Sequence, residues 1–342
     1  MNARTSARPV SIARGARINL ALLGLLSIAF ISGWLAFAFA SAPARWSLAV
    51  HAAGGLAIVA LLPWKSMIAR RGLDRAREGR WASILLGILV VISLIAGFLH
   101  STGLVIYWGA LSAMEVHVGA AIAAVPFVVW HVAARRVRVR PTDVSRRKIL
   151  RAGALVAGAA VAYAGTEMLV RATGMPGAAR RFTGSYEAGS YLPNQMPVSS
   201  WIFDAVPQIE QAAWRLSAGG REWSYDELFA FDDRLTATLD CTGGFFSTQE
   251  WAGVRLDRLI GKADGTSVRV LSVTGYDRRF PIERASTLLL ATRFGGHTLD
   301  PGHGFPARLV VPDERGFWWV KWVIAIDVDD MPNWWQPPFP LQ

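Results

Sequence analysis

The sequence has a single cysteine, Cys241, among its 342 residues. One cysteine excludes any disulfide within the chain, so the redox compartment cannot be inferred from cysteine pairing. An unpaired cysteine outside the cytoplasm would be unusual unless it were buried or bound something. Cys241 is therefore either a core residue or a ligand.

Acidic residues are scarce in the first half of the chain. Residues 1–170 contain 5 Asp and Glu against 19 Lys and Arg, whereas residues 171–342 contain 20 against 17. The net charge of +11 thus comes entirely from the first half. A nucleic-acid-binding protein would need a basic face on its soluble part, and here that part is slightly acidic. These counts exclude nucleic acid as a partner.

Long hydrophobic runs are abundant, and 52% of the residues are hydrophobic. Each run has about the length that a helix needs to cross a hydrocarbon core of roughly 30 Å. The sequence therefore predicts five transmembrane helices, at residues 18–40, 46–64, 81–106, 111–134 and 152–170.

Basic residues are concentrated in alternate connections between these runs. Residues 1–17 carry four Arg, residues 65–80 six Lys and Arg, and residues 135–151 eight, while the opposite connections hold only Arg45. Because positive loops stay in the cytoplasm, we expect a cytoplasmic N-terminus and an extracytoplasmic C-terminal half. The predicted location is the inner cell membrane.

Four of the six histidines lie in the predicted helices: His51, His100, His117 and His131. His117 and His131 are 14 residues apart, which is about 21 Å along a helix and nearly the same face. One helix can ligate two haems at that spacing. His51, His100 and His117 lie near the outer surface, and His131 lies near the inner one. The position 14 residues after His51 is Lys65, so the second helix offers no inner histidine to pair with His131. A single intramembrane histidine is equally often a hydrogen-bond partner between helices.

Over residues 18–134 this pattern resembles the small b-type membrane cytochromes, four-helix bundles that hold haem between paired histidines. The resemblance implies one haem b, ligated by His51 and His117, with His100 as a substitute ligand or a partner of a haem propionate. Two histidine ligands leave no open position on the iron, which implies electron exchange with the quinone pool. Glu115 is a candidate for proton release from a quinol, or an interfacial carboxylate.

The segment Ser145-Arg146-Arg147-Lys148-Ile149-Leu150 precedes the fifth predicted helix. It resembles the twin-arginine export signal, and an ordinary cytoplasmic basic cluster is the alternative. The resemblance implies the twin-arginine machinery as a partner, which carries domains already folded around a cofactor. The small residues Gly177-Ala178-Ala179 resemble a cleavage site.

In the second half of the chain, short apolar or alternating runs are separated by Gly, Pro and Asp. This pattern of short segments predicts an α+β domain. The predicted divisions are a four-helix membrane domain (1–140), the basic motif with the fifth helix (141–172), a linker (173–194) and the α+β domain (195–342). The predicted strands are 214–218, 235–239, 268–273, 307–311 and 318–327, and the predicted helices are 225–231, 254–262 and 281–289.

Cys241 ends a strand-like run and precedes Gly243 and Gly244. A thiolate that projects into such a turn has little bulk around it, which suits a soft metal. A buried core cysteine is the alternative.

Three motifs then resemble the molybdopterin-binding domain of the sulfite oxidase family, and they occur in the family's order. The first is Cys241-Thr242-Gly243-Gly244, with Trp251-Ala252-Gly253-Val254 ten residues on. The others are the H-G-x-P-x-R-L-x-x-P block at residues 303–312 and the V-K-W strand within residues 316–322.

The resemblance implies molybdenum held by a pterin dithiolene and by the Cys241 thiolate. It also implies His303, Arg308 and Lys321 as cofactor-binding residues, since a phosphate-bearing pterin needs fixed cations. An ordinary ion pair at a strand end is the alternative for the two cations. Tyr276 is a weaker candidate for the substrate mouth or the cofactor.

The sequence departs from sulfite oxidases in one respect. Residues 235–240 include no basic residue, and Phe245-Phe246 follows the cysteine motif. This weakens sulfite as a substrate and favours an S-oxide or N-oxide. Periplasmic methionine-sulfoxide reductases belong to the same family and work with a haem-bearing membrane subunit.

We therefore expect a membrane-anchored molybdenum oxidoreductase that passes electrons between quinol, haem and molybdenum. The alternatives are a sulfite dehydrogenase-like enzyme that oxidises its substrate, a membrane-tethered binding or structural module that lacks the cofactor, and a haem-only cytochrome.

Overall fold

The computed structural model describes residues 8–39, 44–73, 79–109, 111–134, 146–199 and 205–337. The chain divides into two compact units, a helical one of residues 1–36 and 42–182 and a second one of residues 37–41 and 183–342. Ser145 of the basic motif and much of the predicted cytoplasmic loops lie outside the described residues. The predicted topology and the export signal therefore remain predictions.

Within the described residues, five helices of the first unit are long and apolar enough to cross a membrane. They confirm the five predicted helices. The helices are α1 (Arg8–Ala38), α2 (Ala44–Leu73), α3 (Arg80–Thr102), α4 (Ala113–Ala134) and α5 (Arg146–Ala172). Two short antiparallel strands, β1 (Tyr107–Trp108) and β2 (Leu111–Ser112), lie between α3 and α4.

Small residues bring α1, α2 and α5 together. Ala29, Ala57 and Ala159 are buried in one apolar cluster with leucine and isoleucine side chains. A Cβ atom on Gly54 would lie 3.5 Å from the Cβ of Ala29, so the α1 and α2 backbones approach closely. Small side chains allow such contacts in the absence of a hydrophobic driving force between helices.

The segment after α5 packs on the C-terminal end of α3. A Cβ atom on Gly177 would lie 2.5 Å from the Ser101 carbonyl oxygen, so only glycine fits there. Arg180 donates to that same oxygen and forms an ion pair with Glu167. An arginine on the last carbonyl groups of a helix stabilises that helix end. Packing thus accounts for the glycine at position 177, within the run of small residues that resembles a cleavage site.

The second unit is built on two sheets. Its strands in chain order are β3 (Tyr186–Glu187), β4 (Arg215–Ala218), β5 (Arg221–Ser224), β6 (Asp233–Asp240), β7 (Phe245–Arg255), β8 (Ser267–Ser272), β9 (Asp277–Pro281), β10 (Leu289–Phe294), β11 (His297–Thr298), β12 (Arg308–Val310) and β13 (Val323–Asp329). Among the described residues, one sheet contains β3, β6, β7, β10, β11 and β12, and the other has the order β5-β4-β13-β8-β9. Five apolar helices followed in the sequence by this sheet-rich unit confirm the predicted fold class.

The longest of these strands, β7, was not predicted. It pairs antiparallel with β6 from Asp233 opposite Gly253 to Asp240 opposite Phe246, so Cys241 falls in the connecting turn. Its buried face carries Ser247 and Gln249, and these polar residues broke the apolar alternation in the sequence. The Gln249 side-chain nitrogen donates to the Gly189 carbonyl oxygen at 2.6 Å.

The other predicted elements agree with the structure in part. Three short helical segments occur where helices were predicted, at α6 (Tyr225–Phe229), α7 (Leu256–Ile260) and the 3-10 helix Ile282–Thr287. The predicted strand 318–327 is wrong in its first half. Gly316–Trp318 is a 3-10 turn and Trp322 has a φ of 54°, so the extended backbone begins only at β13.

The segment 173–194, predicted as a linker, is ordered into short elements. It contains the 3-10 turn Pro176–Ala179 and strand β3, which runs parallel to β7. The boundary between the two units falls inside it, after Phe182.

Candidate functional site

The turn between β6 and β7 fixes Cys241 through its backbone. The Cys241 N–H donates to the Phe245 carbonyl oxygen at 2.8 Å, and the Gly244 N–H donates to the Cys241 carbonyl oxygen at 3.1 Å. Gly244 has a φ of 97°, which favours glycine. The thiol is buried, with 7% of the residue exposed, and its sulfur accepts the Gly243 N–H at 3.3 Å.

A buried ion pair stabilises this turn. The Arg315 guanidinium donates to the Asp240 carboxylate at 2.6 Å and to the Cys241 carbonyl oxygen at 3.2 Å. Thr183 and Ser185 also donate to Asp240. This cluster was not predicted, although the acidic side chain directly before Cys241 was a visible signal.

Ser199 contacts the candidate ligand and was not predicted. Its hydroxyl oxygen lies 2.9 Å from the Cys241 sulfur, and its carbonyl oxygen accepts the Lys321 ammonium group at 2.8 Å. Lys321 also donates to the Gly302 carbonyl oxygen at 2.6 Å. Ser199 therefore links Lys321 to Cys241.

His303 ends a short 3-10 turn, Pro301–His303, whose N-cap is Asp300. The Nδ1 atom lies 2.6 Å from the Asp300 carboxylate, which can only accept, so Nδ1 carries the proton. The Nε2 atom is buried and has no hydrogen-bond partner among the described residues. Burial lowers the pKa of His303 below its usual value, and Arg308 and Lys321 add to this effect, which the bond to Asp300 opposes.

Arg308 is a buried cation that lies over the Trp251 and Trp319 rings and forms no ion pair among the described residues. Its Nη1 atom donates to the His303 carbonyl oxygen at 3.1 Å, and its Nε atom has no partner among the described residues. Burial lowers the pKa of Arg308 to about 10, although the Cys241 thiol and the Asp300 carboxyl raise it. Such a shift corresponds to a cost on the order of 3 kcal/mol for the charged form. An anionic ligand at this position would offset that cost.

Gly304 allows these cations to approach each other. It has a φ of 112°, and a Cβ atom on it would lie 3.1 Å from the Cβ of Arg308 and 3.3 Å from the Cβ of Lys321. Four predicted residues, Cys241, His303, Arg308 and Lys321, thus come together at one edge of the β6–β7 turn.

Tyr276 lies outside this group. It precedes β9 in the other sheet, and its hydroxyl group donates to the Phe317 carbonyl oxygen. The neighbouring residue Gly316 packs on Cys241, since a Cβ atom on Gly316 would lie 3.2 Å from the Cα of Cys241. Tyr276 is therefore linked to Cys241 indirectly, by the backbone at residues 316–317. Its predicted role at the substrate mouth or the cofactor remains a prediction.

The helical unit brings together His51 on α2 and His117 on α4. Their ring centroids are 5.5 Å apart, with the rings nearly perpendicular. The Nδ1 atom of His51 lies 2.7 Å from the Ala29 carbonyl oxygen, and that of His117 lies 2.7 Å from the Ser93 carbonyl oxygen. Carbonyl oxygens only accept, so both Nδ1 atoms carry the proton and both Nε2 atoms keep a free electron pair. This is the tautomer that a metal ligand needs.

Two glycines make room for these imidazole rings. A Cβ atom on Gly33 of α1 would lie 2.6 Å from the Nδ1 atom of His51, and one on Gly97 of α3 would lie 2.8 Å from that of His117. Four helices therefore meet around the histidine pair. His100 is buried near the end of α3, and His131 pairs at 3.1 Å with the Ser83 hydroxyl group.

Comparison with known proteins agrees with the site in the second unit. The family model "Oxidoreductase molybdopterin binding domain" matches residues 203–335. Mitochondrial sulfite oxidase of Macaca fascicularis is 29% identical over 38% of this chain and 32% of its own length. Nitrate reductase [NADPH] of Phytophthora infestans is 36% identical over 25% of this chain and 11% of its own length. The matches thus span about a third or less of these relatives.

A further relative is named for another activity. A protein of Azospira oryzae that carries the name of a protein-methionine-sulfoxide reductase subunit, YedZ1, is 30% identical over 36% of this chain and 52% of its own length.

The residues present fit a molybdopterin. They supply one buried thiol for a thiophilic metal. Within the described part of the chain they also supply an imidazole nitrogen without a partner and a buried guanidinium without an anion. The second unit of this chain, preceded by five apolar helices, is therefore an oxidoreductase molybdopterin-binding domain of the sulfite oxidase kind.

Proposed function

We propose that this protein is a membrane-anchored molybdenum oxidoreductase that reduces an S-oxide or N-oxide by oxygen-atom transfer outside the cytoplasm. The observation that carries the proposal is the convergence of Cys241, His303, Arg308 and Lys321 around one buried turn. When bound, the cofactor would supply a metal that exchanges an oxygen atom and two electrons with the substrate.

The residues of the chain have separate roles in this proposal. Cys241 binds the metal through its sulfur, and the Gly243 N–H stabilises charge on that sulfur. Arg308 provides a fixed positive charge for the anionic cofactor, and its planar group suits a phosphate or a pterin edge. Asp300 holds the His303 ring so that the Nε2 electron pair would be available to accept a hydrogen bond from the bound cofactor.

The charges around the thiol favour a neutral substrate. Asp240 neutralises Arg315, and the Lys321 ammonium group is bound to two backbone carbonyl oxygens. Among the described residues near Cys241, Arg308 forms no ion pair, and the anionic cofactor would use its charge. Residues 235–240, which lead to Cys241, add no basic residue that would attract a dianion such as sulfite.

Electrons would reach the domain through one haem b held between His51 and His117. The support for this step is the pair of Nδ1–H bonds to backbone carbonyl oxygens, which orients both Nε2 atoms as ligands. We propose the quinone pool as the electron donor, because a haem with two histidine ligands transfers electrons only. The relative of Azospira oryzae, named for a methionine-sulfoxide reductase subunit, agrees with this direction of electron flow.

The arrangement in the membrane forms part of the same proposal. The basic residues between the helices would keep the N-terminus in the cytoplasm and the molybdopterin domain outside it. The motif at residues 145–150 would send that domain through the twin-arginine machinery, with its cofactor already bound.

A single redox experiment tests the proposed function. The detergent-purified full chain, expressed in a host that makes molybdopterin, is first analysed for molybdenum, pterin and haem. Dithionite-reduced protein is then mixed anaerobically with a panel of S-oxides and N-oxides, and haem reoxidation is followed by absorbance. We expect reoxidation by at least one oxide and none with Cys241→Ser. Absence of molybdenum and pterin would overturn the proposal.

Sulfite oxidation is the second candidate function, and the 29% identity to a sulfite oxidase favours it. The same sample separates the two functions. Haem reduction on addition of sulfite, without reoxidation by any oxide, would establish the oxidising enzyme instead.

A further inference from the structure

The segment that leads to Ser199 is held against the site at several points. Met196 is buried in the core of the second unit. A Cβ atom on Gly302 would lie 2.9 Å from the Val198 side chain, so this segment lies directly on the turn that carries His303. Lys321 then binds the Ser199 carbonyl oxygen and the Gly302 carbonyl oxygen together. Ser199 is therefore fixed at its backbone.

The side chain of Ser199 points to the sulfur of Cys241, 2.9 Å away. A sulfur atom that binds a metal is a thiolate, which can accept a hydrogen bond but has no proton to donate. The serine hydroxyl group must then be the donor. Together with the Gly243 N–H at 3.3 Å, it provides two donors to one sulfur.

Hydrogen bonds to a ligating sulfur change the properties of the metal. They withdraw electron density from the thiolate, which weakens its donation to the metal and stabilises the reduced state. The Gly243 bond comes from the turn backbone and no side-chain substitution removes it. The Ser199 bond depends on a side chain that sequence motifs did not reveal.

We propose that Ser199 is a positioning residue that raises the reduction potential of the molybdenum centre by donating a hydrogen bond to the Cys241 sulfur, and that Lys321 holds it in place. This inference rests on the proposed function, because it requires a molybdenum atom on Cys241. It adds a role for Lys321, which acts on the metal through the Ser199 backbone as well as on the cofactor.

The test is a redox titration of the Mo(VI)/Mo(V) couple by electron paramagnetic resonance in the detergent-purified full chain. In Ser199→Ala we expect the ratio of Mo(V) to Mo(VI) at a fixed ambient potential to fall about tenfold, a shift of about 59 mV to more negative values for a one-electron couple. The sulfur-to-metal charge-transfer absorption should shift as well. Ser199→Thr, which keeps the hydroxyl group, should restore both readouts.

Two further variants separate positioning from general damage. Ser286→Ala removes an exposed hydroxyl group of the same unit and should leave the potential unchanged. Lys321→Met should shift the potential in the same direction as Ser199→Ala, and adding Ser199→Ala to Lys321→Met should shift it by less than Ser199→Ala shifts the wild type.

The outcomes distinguish this inference from the proposed function. Molybdenum bound to the wild type, with an unchanged potential in Ser199→Ala, would overturn the role of Ser199 and leave the enzyme proposal standing. Wild-type protein without molybdenum would overturn both.

Discussion

The Arg315 guanidinium and the Asp240 carboxylate form an ion pair of 2.6 Å in which the two side chains are 2% and 1% exposed. Loss of one partner leaves an unpaired charge in the interior, which typically costs 3–5 kcal/mol. We predict that Arg315→Met lowers the melting temperature of the detergent-purified protein strongly and reduces cofactor retention, since Arg315 also binds the Cys241 carbonyl oxygen.

The matched control for that prediction is Arg258→Gln. Arg258 pairs with Asp233 at 2.7 Å, but its side chain is about half exposed. Exposed pairs contribute about 0.2–1 kcal/mol, so this variant should melt close to the wild type. Equal melting shifts in the two variants would contradict a structural role for the buried pair.

Cys241→Ser should remove molybdenum without unfolding the domain. The thiol occupies a turn whose backbone bonds to Phe245 and Gly244 do not involve its side chain. We expect near-wild-type circular dichroism, molybdenum content below a tenth of the wild type, and haem content unchanged. Elemental analysis and the pyridine haemochrome spectrum measure the two cofactors separately. Full molybdenum content in this variant would show that Cys241 is only a core residue.

Gly97→Ala should disturb the haem site, because the new methyl group would lie 2.8 Å from the Nδ1 atom of His117. We expect at least a several-fold loss of haem, measured by the reduced-minus-oxidised absorbance spectrum. Gly87→Ala is the control on the same helix, since nothing lies within 4 Å of its Cβ position and alanine favours helices. Haem that persists in His117→Ala, or that is lost in His131→Ala alone, would refute the assigned ligand pair.

Gly304→Ala should weaken cofactor binding more than a generic glycine replacement does. Its backbone has a φ of 112°, and the added methyl group would press on Arg308 and Lys321 at 3.1–3.3 Å. Gly296→Ala has a similarly positive φ of 82° but open space around it, and so isolates the backbone strain. We expect both variants to lose about 1–3 kcal/mol of stability from strain. Pterin fluorescence and molybdenum content should fall further in Gly304→Ala than in Gly296→Ala.

Acidification should destabilise the protein through His303. Burial lowers the pKa of His303 in the folded state, so the unfolded chain binds a proton first as the pH falls below the unperturbed value of about 6.5. The free energy of unfolding therefore decreases from that pH down to the folded-state pKa. The melting temperature of His303→Gln should fall less than that of the wild type between pH 7.5 and 5.5. His297→Gln, at an exposed position, should follow the wild type.

Local pattern was sufficient for much of this protein. The five apolar helices were predicted because lipid contacts require an apolar surface along the whole segment, so composition alone marks them. Cys241, His303, Arg308 and Lys321 were recognised because each lies within a contiguous motif. The structure brings these four residues together.

Hydrophobic patterns in the sequence failed to predict segments in which buried residues are polar or apolar residues lie in turns. Strand β7 escaped prediction because its inner face carries the polar residues Ser247 and Gln249 between Phe245 and Trp251. The Gln249 side-chain nitrogen donates to the distant Gly189 carbonyl oxygen and to the neighbouring Ser247 hydroxyl group. The strand predicted at 318–327 began too early because Trp319 and Trp322 lie in a turn whose bends are fixed by tertiary contacts.

The sequence by itself therefore determined the class of each half, the candidate metal ligands and the candidate cofactor contacts. Tertiary structure decided which groups surround them. Ser199 reaches Cys241 across 42 residues, and Arg315 reaches Asp240 across 75. Contacts at such separations depend on how the sheets pack and leave no periodic trace in the chain. For that reason the sequence identified the ligand, and the fold identified the residues that control it.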